Sequence, residues 1–210
     1  AGLGEVIKYG AIRDSKFFND ISEWFQTKEA GRLIEQESTV AKELVSNLFG
    51  YHVAQLGSSY PSIIIDSSRI SNRILISIEN YGHRRENVCC DAGVLPFAEM
   101  SIDLLILPHV IEFSRDPARI LREADRVLIS EGYLIVFGLN PWSFFGASAL
   151  LKKWQELAPW NCNFISAKRL GDWLLVLGFE IVRLEYVGFG SLSGSGPMGL
   201  AGNTEKLMKY

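Results

Sequence analysis

The chain has 210 residues, of which 48% are apolar and 21% charged, enough apolar content for one sizeable hydrophobic core. Its formal net charge of −3 provides no basic footprint for neutralising phosphates, so nucleic acid is excluded as an expected partner. Three cysteines, two of them adjacent at Cys89 and Cys90 and the third remote at Cys162, supply neither a disulfide framework nor a zinc-ligand spacing. A reducing, cytoplasmic setting is therefore expected. No metal site is expected either, because His52 and His83 lie far in sequence from any acid at ligand spacing. No apolar run reaches the roughly eighteen residues that span a bilayer, and the N-terminus lacks the charged-then-apolar order of a signal peptide.

In chain order, residues 1–16 show no strong period and read as a loosely docked leader. From 17 to 49, Phe18, Ile21, Trp24 and Phe25 share one helical face, and Leu33, Ile34, Val40, Leu44, Val45 and Leu48 fall on others, which predicts two helices broken near residues 27–31. Residues 1–50 thus read as an N-terminal helical extension, and 51–210 as the sheet-containing part of one globular unit. Gly50 ends the second helix, and residues 51–57 read as the first strand, followed by Ser58-Ser59-Tyr60-Pro61. Ile63, Ile64 and Ile65 form a further apolar run, and residues 73–77 are the best candidate for the second strand. The polar segment 80–87 is too short for a crossover helix. Residues 88–90 make a short third strand that delivers Asp91.

Residues 101–108 contain an apolar run typical of a strand buried on both faces. Asp116 and Pro117 supply an N-cap and a first-turn proline, and Ile120, Leu121, Ala124, Val127 and Leu128 recur at helical spacing until Glu131 and Gly132 stop the helix. Residues 133–137 form the next strand, which ends at Gly138-Leu139-Asn140-Pro141. Strand, helix, strand is a βαβ unit, implying a parallel sheet with a right-handed crossover and a ligand crevice beyond the carboxyl ends of the strands. Further on, a helix is expected over 148–157, another from the Ser166 cap to Leu177 with Gly178 beyond its end, and a strand over 179–187. The tail from Gly188 reads as a flexible loop, and no candidate for a further strand is apparent in it.

The ordered set Asp91-Ala92-Gly93-Val94-Leu95-Pro96-Phe97, Ser101-Ile102-Asp103, His109-Val110-Ile111-Glu112-Phe113, Asp116-Pro117, Leu121-Arg122-Glu123 and Arg126-Val127-Leu128 with Gly132 resembles the central part of class I, seven-stranded SAM-dependent methyltransferases, nearest to the ubiquinone/menaquinone-methyltransferase-like group. The resemblance implies an α/β fold with a doubly wound, mainly parallel, Rossmann-like sheet and an N-terminal helical extension. It also implies S-adenosyl-L-methionine as cofactor and methyl transfer to a small-molecule or lipid-like acceptor. The extension is then either a lid over the substrate, a homodimer surface or simply part of the core.

Residue by residue, the resemblance places Gly57 at the loop after the first strand, Glu79 beside the ribose, and Asp91 with Ala92 on adenine. Pro108 and His109 then lie near the methyl donor, with His109 either a general base, a hydrogen-bond partner or a histidine that orients the following turn. Asn140 and Trp142 after the next strand face the acceptor. Leu95 and Phe97 either line the adenine pocket or join the core, and Glu112 and Asp116 read as a helix-entry charge and a cap. Two departures stand out: Gln55 occupies the place of an acidic residue, and the glycines expected after Gly57 are absent. They motivate the alternative of a catalytically inactive module that binds SAM or another adenosine compound weakly and acts in regulation or interaction. A nicotinamide-dependent oxidoreductase is disfavoured, since no G-x-G-x-x-G stands at a strand-to-helix turn.

Overall fold

The computed structural model describes residues 22–57, 60–78, 88–139, 162–187 and 208–209. A helical turn at 22–25 precedes α1 (Lys28–Val45), β1 (His52–Leu56), a 3₁₀ turn (Ile65–Ser67), β2 (Asn72–Ser77), β3 (Val88–Cys89) and β4 (Ile102–Pro108). After these come α2 (Pro117–Val127), β5 (Leu128–Phe137), α3 (Ala167–Val176), β6 (Glu180–Ile181) and β7 (Met208–Lys209). The expected leader, the 148–157 helix and most of the glycine-rich tail lie outside the described residues.

The strands form one seven-stranded sheet in the order β3-β2-β1-β4-β5-β7-β6. Pairing is parallel from β3 through β5, whereas β7 runs antiparallel to both β5 and β6. The α/β, doubly wound reading holds. Because β4 is covered on both faces, its alternate residues serve two cores: Leu104 and Ile106 pack with Ile34, Ala41 and Val45 of α1, while Leu105 and Leu107 pack with Ile120, Leu121, Ala124 and Val127 of α2 and Leu174 of α3. This double burial explains why the strand shows no polar alternation in sequence.

Local chemistry sets the helix ends. Thr27 Oγ1 accepts from Ala30 N at 3.3 Å, Asp116 Oδ1 from Arg119 N at 3.0 Å and Ser166 Oγ from Arg169 N at 3.3 Å. Gly178 takes φ +92° just beyond the end of α3, as its predicted position required. The first break falls between Phe25 and Lys28, and Gly31 lies inside α1 instead of ending a helix. A Cβ there would meet nothing within 4 Å. Gly31→Ala should therefore stabilise the fold by about 1 kcal/mol, read as a higher denaturant midpoint at unchanged slope.

Two other expectations are corrected. Gly132 does not end α2: the helix stops at Val127, and Leu128 (φ −74°, ψ 142°) enters β5 directly. Ile102 pairs with Leu128 but Leu104 with Tyr133, so β5 bulges between them. Gly132 sits in that irregularity, where a Cβ would stand 2.9 Å from Ile129 O. The stretch 179–187 forms a ladder only at Glu180 and Ile181, because its partner is the two-residue β7, which pairs Lys209 with Tyr133 and Met208 with Leu134. So short a strand has no period to detect. No described helix is long and apolar enough to cross a membrane.

Candidate functional site

From β1 the chain works outward through β2 to β3, and from β4 it moves to the other side through β5, so the direction of winding reverses between β1 and β4. At such a switch point the loops beyond the carboxyl ends diverge and leave a crevice. Gly57 leaves β1 with φ +106°, a conformation L side chains rarely adopt, and donates from its N to Ile76 O at 2.9 Å. A Cβ on it would touch Val110 Cγ2 at 3.4 Å and Pro108 O at 3.7 Å, so the loops after β1 and β4 meet here.

Gln55, fully buried two residues earlier, donates from Nε2 to the carbonyls of Tyr60 and Pro61 at 3.4 and 3.3 Å. Its Oε1 is buried without a partner. Facing two carbonyls, only a donor works at Nε2, which accounts for an amide where the resemblance expects an acid.

Asp91 stands at the end of β3. Its Oδ1 accepts from Gly93 N at 2.8 Å in a turn, and its Oδ2 lies 3.8 Å from Arg119 Nη1 with the side chain 26% exposed. Turn bonding by one oxygen and a long ion pair by the other thus coexist on one part-exposed carboxylate, next to the buried Ala92. The loop that follows is clamped by α2: Glu123 Oε2 accepts from Leu95 N at 2.8 Å, and Arg126 donates to Phe97 O at 2.9 Å and Leu95 O at 3.1 Å. Glu123 and Arg126 also pair with each other at 2.7 Å, and this bond, more than any other influence, holds the Glu123 carboxyl below its usual range. The spacing of Glu123 and Arg126 in the sequence is therefore a loop-holding device. The Cys90 thiol, pushed up to about 12 by burial and then by Cys89, Asp91 and Glu123, stays protonated and is no nucleophile.

His109, directly after β4, has φ +55° and is 1% exposed. Its Nδ1 lies 2.8 Å from Glu112 Oε1 and its Nε2 3.1 Å from Glu37 of α1. Held between two carboxylates, the ring is placed to donate from both nitrogens, and the charge of Glu37 with the bonds to Glu112 and Glu37 favours the imidazolium over the desolvation that opposes it. Glu112 Oε1 also accepts from Leu139 N at 3.1 Å, and Tyr60 donates its hydroxyl to Glu37 Oε2 at 3.0 Å. Phe25, Tyr60 and Phe137 surround the imidazole with ring centroids 5.7, 5.8 and 6.4 Å away. Burial and then Glu37 hold the tyrosine hydroxyl well above its ordinary pKa.

The structure thus brings Gly57, Asp91, Ala92, Pro108 and His109 to the carboxyl end of the sheet. Glu79, Asn140 and Trp142 lie outside the described residues. Glu112 is corrected from a helix-entry charge to a buried partner of His109, because the left-handed turn at His109 folds residue 112 back against the ring. Glu37, Tyr60 and Gln55 were missed as polar anchors. A signal for Glu37 existed, since it is an acid within the buried helical stripe Ala30, Ile34, Ala41 and Val45. Among the described residues no group of three or more side chains could hold a metal ion.

Strand order, the antiparallel seventh strand and the crevice between β1 and β4 define a Rossmann-like methyltransferase fold. Comparisons agree: residues 50–136 match the family described as "Methyltransferase domain". The chain is 34% identical over 138 residues to the uncharacterized protein YafS of Escherichia coli, a match covering 66% of this chain and 56% of that one. It is 33% identical over 89 residues to the uncharacterized protein MJ1123 of Methanocaldococcus jannaschii, covering 42% and 43%. The chain spans about half the length of these curated relatives. A solved SAM-dependent methyltransferase from Thermotoga maritima, described as a possible histamine N-methyltransferase, superposes with TM-score 0.64 at 22% identity over 92% of this chain and 95% of its own. Another, from Aquifex aeolicus, gives 0.62 at 13% identity over 91% and 97%.

Proposed function

We propose that the protein is an S-adenosylmethionine-dependent methyltransferase acting on a small-molecule or lipid-like acceptor in the cytoplasm. The observation that carries this reading is a positive-φ glycine at the switch point of a methyltransferase-type sheet with the unpartnered Gln55 Oε1 two residues before it, and the part-exposed Asp91 carboxylate on the same sheet end after β3. The donor set suits the cofactor: Gly57 lets the backbone approach closely, a buried amide oxygen can take an ammonium or N–H, and a part-exposed carboxylate oxygen can take an exocyclic amine. Bound there, S-adenosylmethionine would supply a methyl group on a sulfonium.

The chain's own contribution is binding and orientation. The clamp of Glu123 and Arg126 fixes the loop after Asp91, and Pro108 and Val110 wall the crevice against Gly57. His109, engaged at both nitrogens, shapes that wall in this reading instead of acting as general base. The likeness of the central motif to the ubiquinone/menaquinone-methyltransferase group supports an acceptor with an apolar body.

Calorimetric titration of the methylated cofactor and of its demethylated product tests the reading. Micromolar binding, about −8 kcal/mol, is expected, and Asp91→Ala should weaken it at least tenfold without unfolding the protein. Absence of binding by folded wild-type protein would overturn the reading in favour of a noncatalytic module that keeps only the fold.

A further inference from the structure

One carboxylate on α1 gathers both loops that flank the crevice. Glu37, 4% exposed, takes the hydroxyl of Tyr60 from the loop after β1 and Nε2 of His109 from the loop after β4, a residue 72 positions away in sequence. Each of those residues is tied onward. Gln55, at the end of β1, holds the Tyr60 and Pro61 carbonyls. His109 N donates to Phe137 O at 3.1 Å, and its neighbours Pro108 and Val110 are the residues that a Cβ on Gly57 would meet, at 3.7 and 3.4 Å. Bonds therefore run from α1 to His109, whose two chain neighbours lie beside the glycine turn of the crevice. His109 holds a left-handed φ of +55° while both of its ring nitrogens are bonded to carboxylates. Glu37 also lies outside residues 50–136, the part matched as a methyltransferase domain.

We infer that Glu37 is a positioning residue, the point at which α1 holds the loops after β1 and β4 in their binding arrangement, so that docking of α1 and occupancy of the crevice are coupled. The inference rests on the reading of the crevice as a cofactor site. Coupling is reciprocal: a ligand that needs this loop arrangement tightens α1, and loosening α1 weakens the ligand. A residue that merely stabilised the fold would change the melting temperature while leaving the affinity of the folded fraction unaltered.

The test combines hydrogen exchange with calorimetry on the full chain, using S-adenosylmethionine as the probe. Saturating ligand should slow exchange in residues 28–45 of the wild type as well as in the loop after β3. Glu37→Gln should bind roughly tenfold more weakly, within the usual span of coupling between sites, and at saturation should keep protection of the β3 loop while losing that of α1. Tyr60→Phe, which keeps the ring, should fall between the two. If the wild type binds and α1 exchange is unchanged, or if Glu37→Gln binds as the wild type does, the coupling is refuted and the cofactor reading stands. If the wild type gives no binding heat, both fall. Should Glu37→Gln not fold, the wild-type exchange pattern and Tyr60→Phe decide the matter alone.

Discussion

Replacing His109 by alanine is expected to lower the unfolding free energy by about 3–5 kcal/mol, the cost of leaving a buried charge without its counter-ion. The imidazolium is the cation between Glu37 and Glu112, whose side chains are only 5% and 3% exposed. Without it two carboxylates face one cavity, and one must take up a proton or move. In a domain of this size the melting temperature should drop by roughly 2–4 °C for each kcal/mol lost. His109→Asn separates charge from backbone, since asparagine tolerates the left-handed conformation but carries no charge; it should lose nearly as much.

The same residue gives an alkaline signature whose sign follows from linkage. Burial by itself, the largest influence, would lower the imidazole pKa, but the charge of Glu37 and the bonds to Glu112 and Glu37 outweigh it and raise the value from 6.5 to about 10. The native state thus holds this proton more tightly than the unfolded chain. Its contribution is complete below pH 6.5 and is lost as pH rises through about 10, with a slope of at most about 1.4 kcal/mol per pH unit. Denaturant titrations between pH 6 and 10 should show this decline in the wild type up to about pH 10, whereas in both variants any decline belongs to the carboxyl that keeps a proton and ends where that carboxyl ionises. A wild type with flat stability over that range would mean that the ring is neutral, and the ionic account of the cluster would be wrong.

Much of the fold was legible because its signals are local or periodic. β4 announces itself by a doubly buried apolar run, α2 by Asp116, Pro117 and the spacing of Ile120, Leu121 and Ala124, and α3 by Ser166 and Gly178. What escaped were features decided by partners far along the chain. The two-residue β7 exists because β5 and β6 leave a gap between them. Gly132 looks like a helix stop from its neighbours alone, yet its place is fixed by the bulge opposite Asp103.

The site shows the same division. The places of Gly57, Asp91 and His109 at strand ends are legible in the sequence, whereas the engagement of His109 depends on Glu37, which nothing local ties to it. The amphipathic period of α1 also misled, since a stripe that reads as apolar carries one acid at its centre, and that acid joins the helix to the crevice.

Gln55→Glu is the substitution that would restore the acid expected from the resemblance, and it should nevertheless destabilise the protein in a pH-dependent way. The native amide does two things at once: its Nε2 donates to the carbonyls of Tyr60 and Pro61, and its Oε1 remains an acceptor. A carboxylate can only accept, so in its ionised form it would set oxygen against two carbonyl oxygens in a fully buried place. Ionisation there is so unfavourable that the introduced carboxyl should stay protonated well above its unfolded pKa of about 4.3. In that form its hydroxyl can still serve one carbonyl, and the loss at low pH should be about 1–2 kcal/mol.

Above that pKa the unfolded chain gives up its proton while the native state keeps it. Stability of the variant therefore falls as pH rises from 4, by up to about 1.4 kcal/mol per unit, until the folded protein ionises or opens. At pH 7 the deficit should reach about 3–5 kcal/mol. Gln55→Met, which leaves the same two carbonyls without a donor but introduces no charge, should cost about 1–3 kcal/mol at every pH. Chemical denaturation of the three proteins at pH 4.5 and 7.5 checks both. Equal stability of Gln55→Glu and wild type at the higher pH would show that the loop after Gly57 is held by something other than this amide. The pH-dependent deficit would instead show that a neutral donor at the end of β1 fixes the loop after Gly57 through the carbonyls of Tyr60 and Pro61.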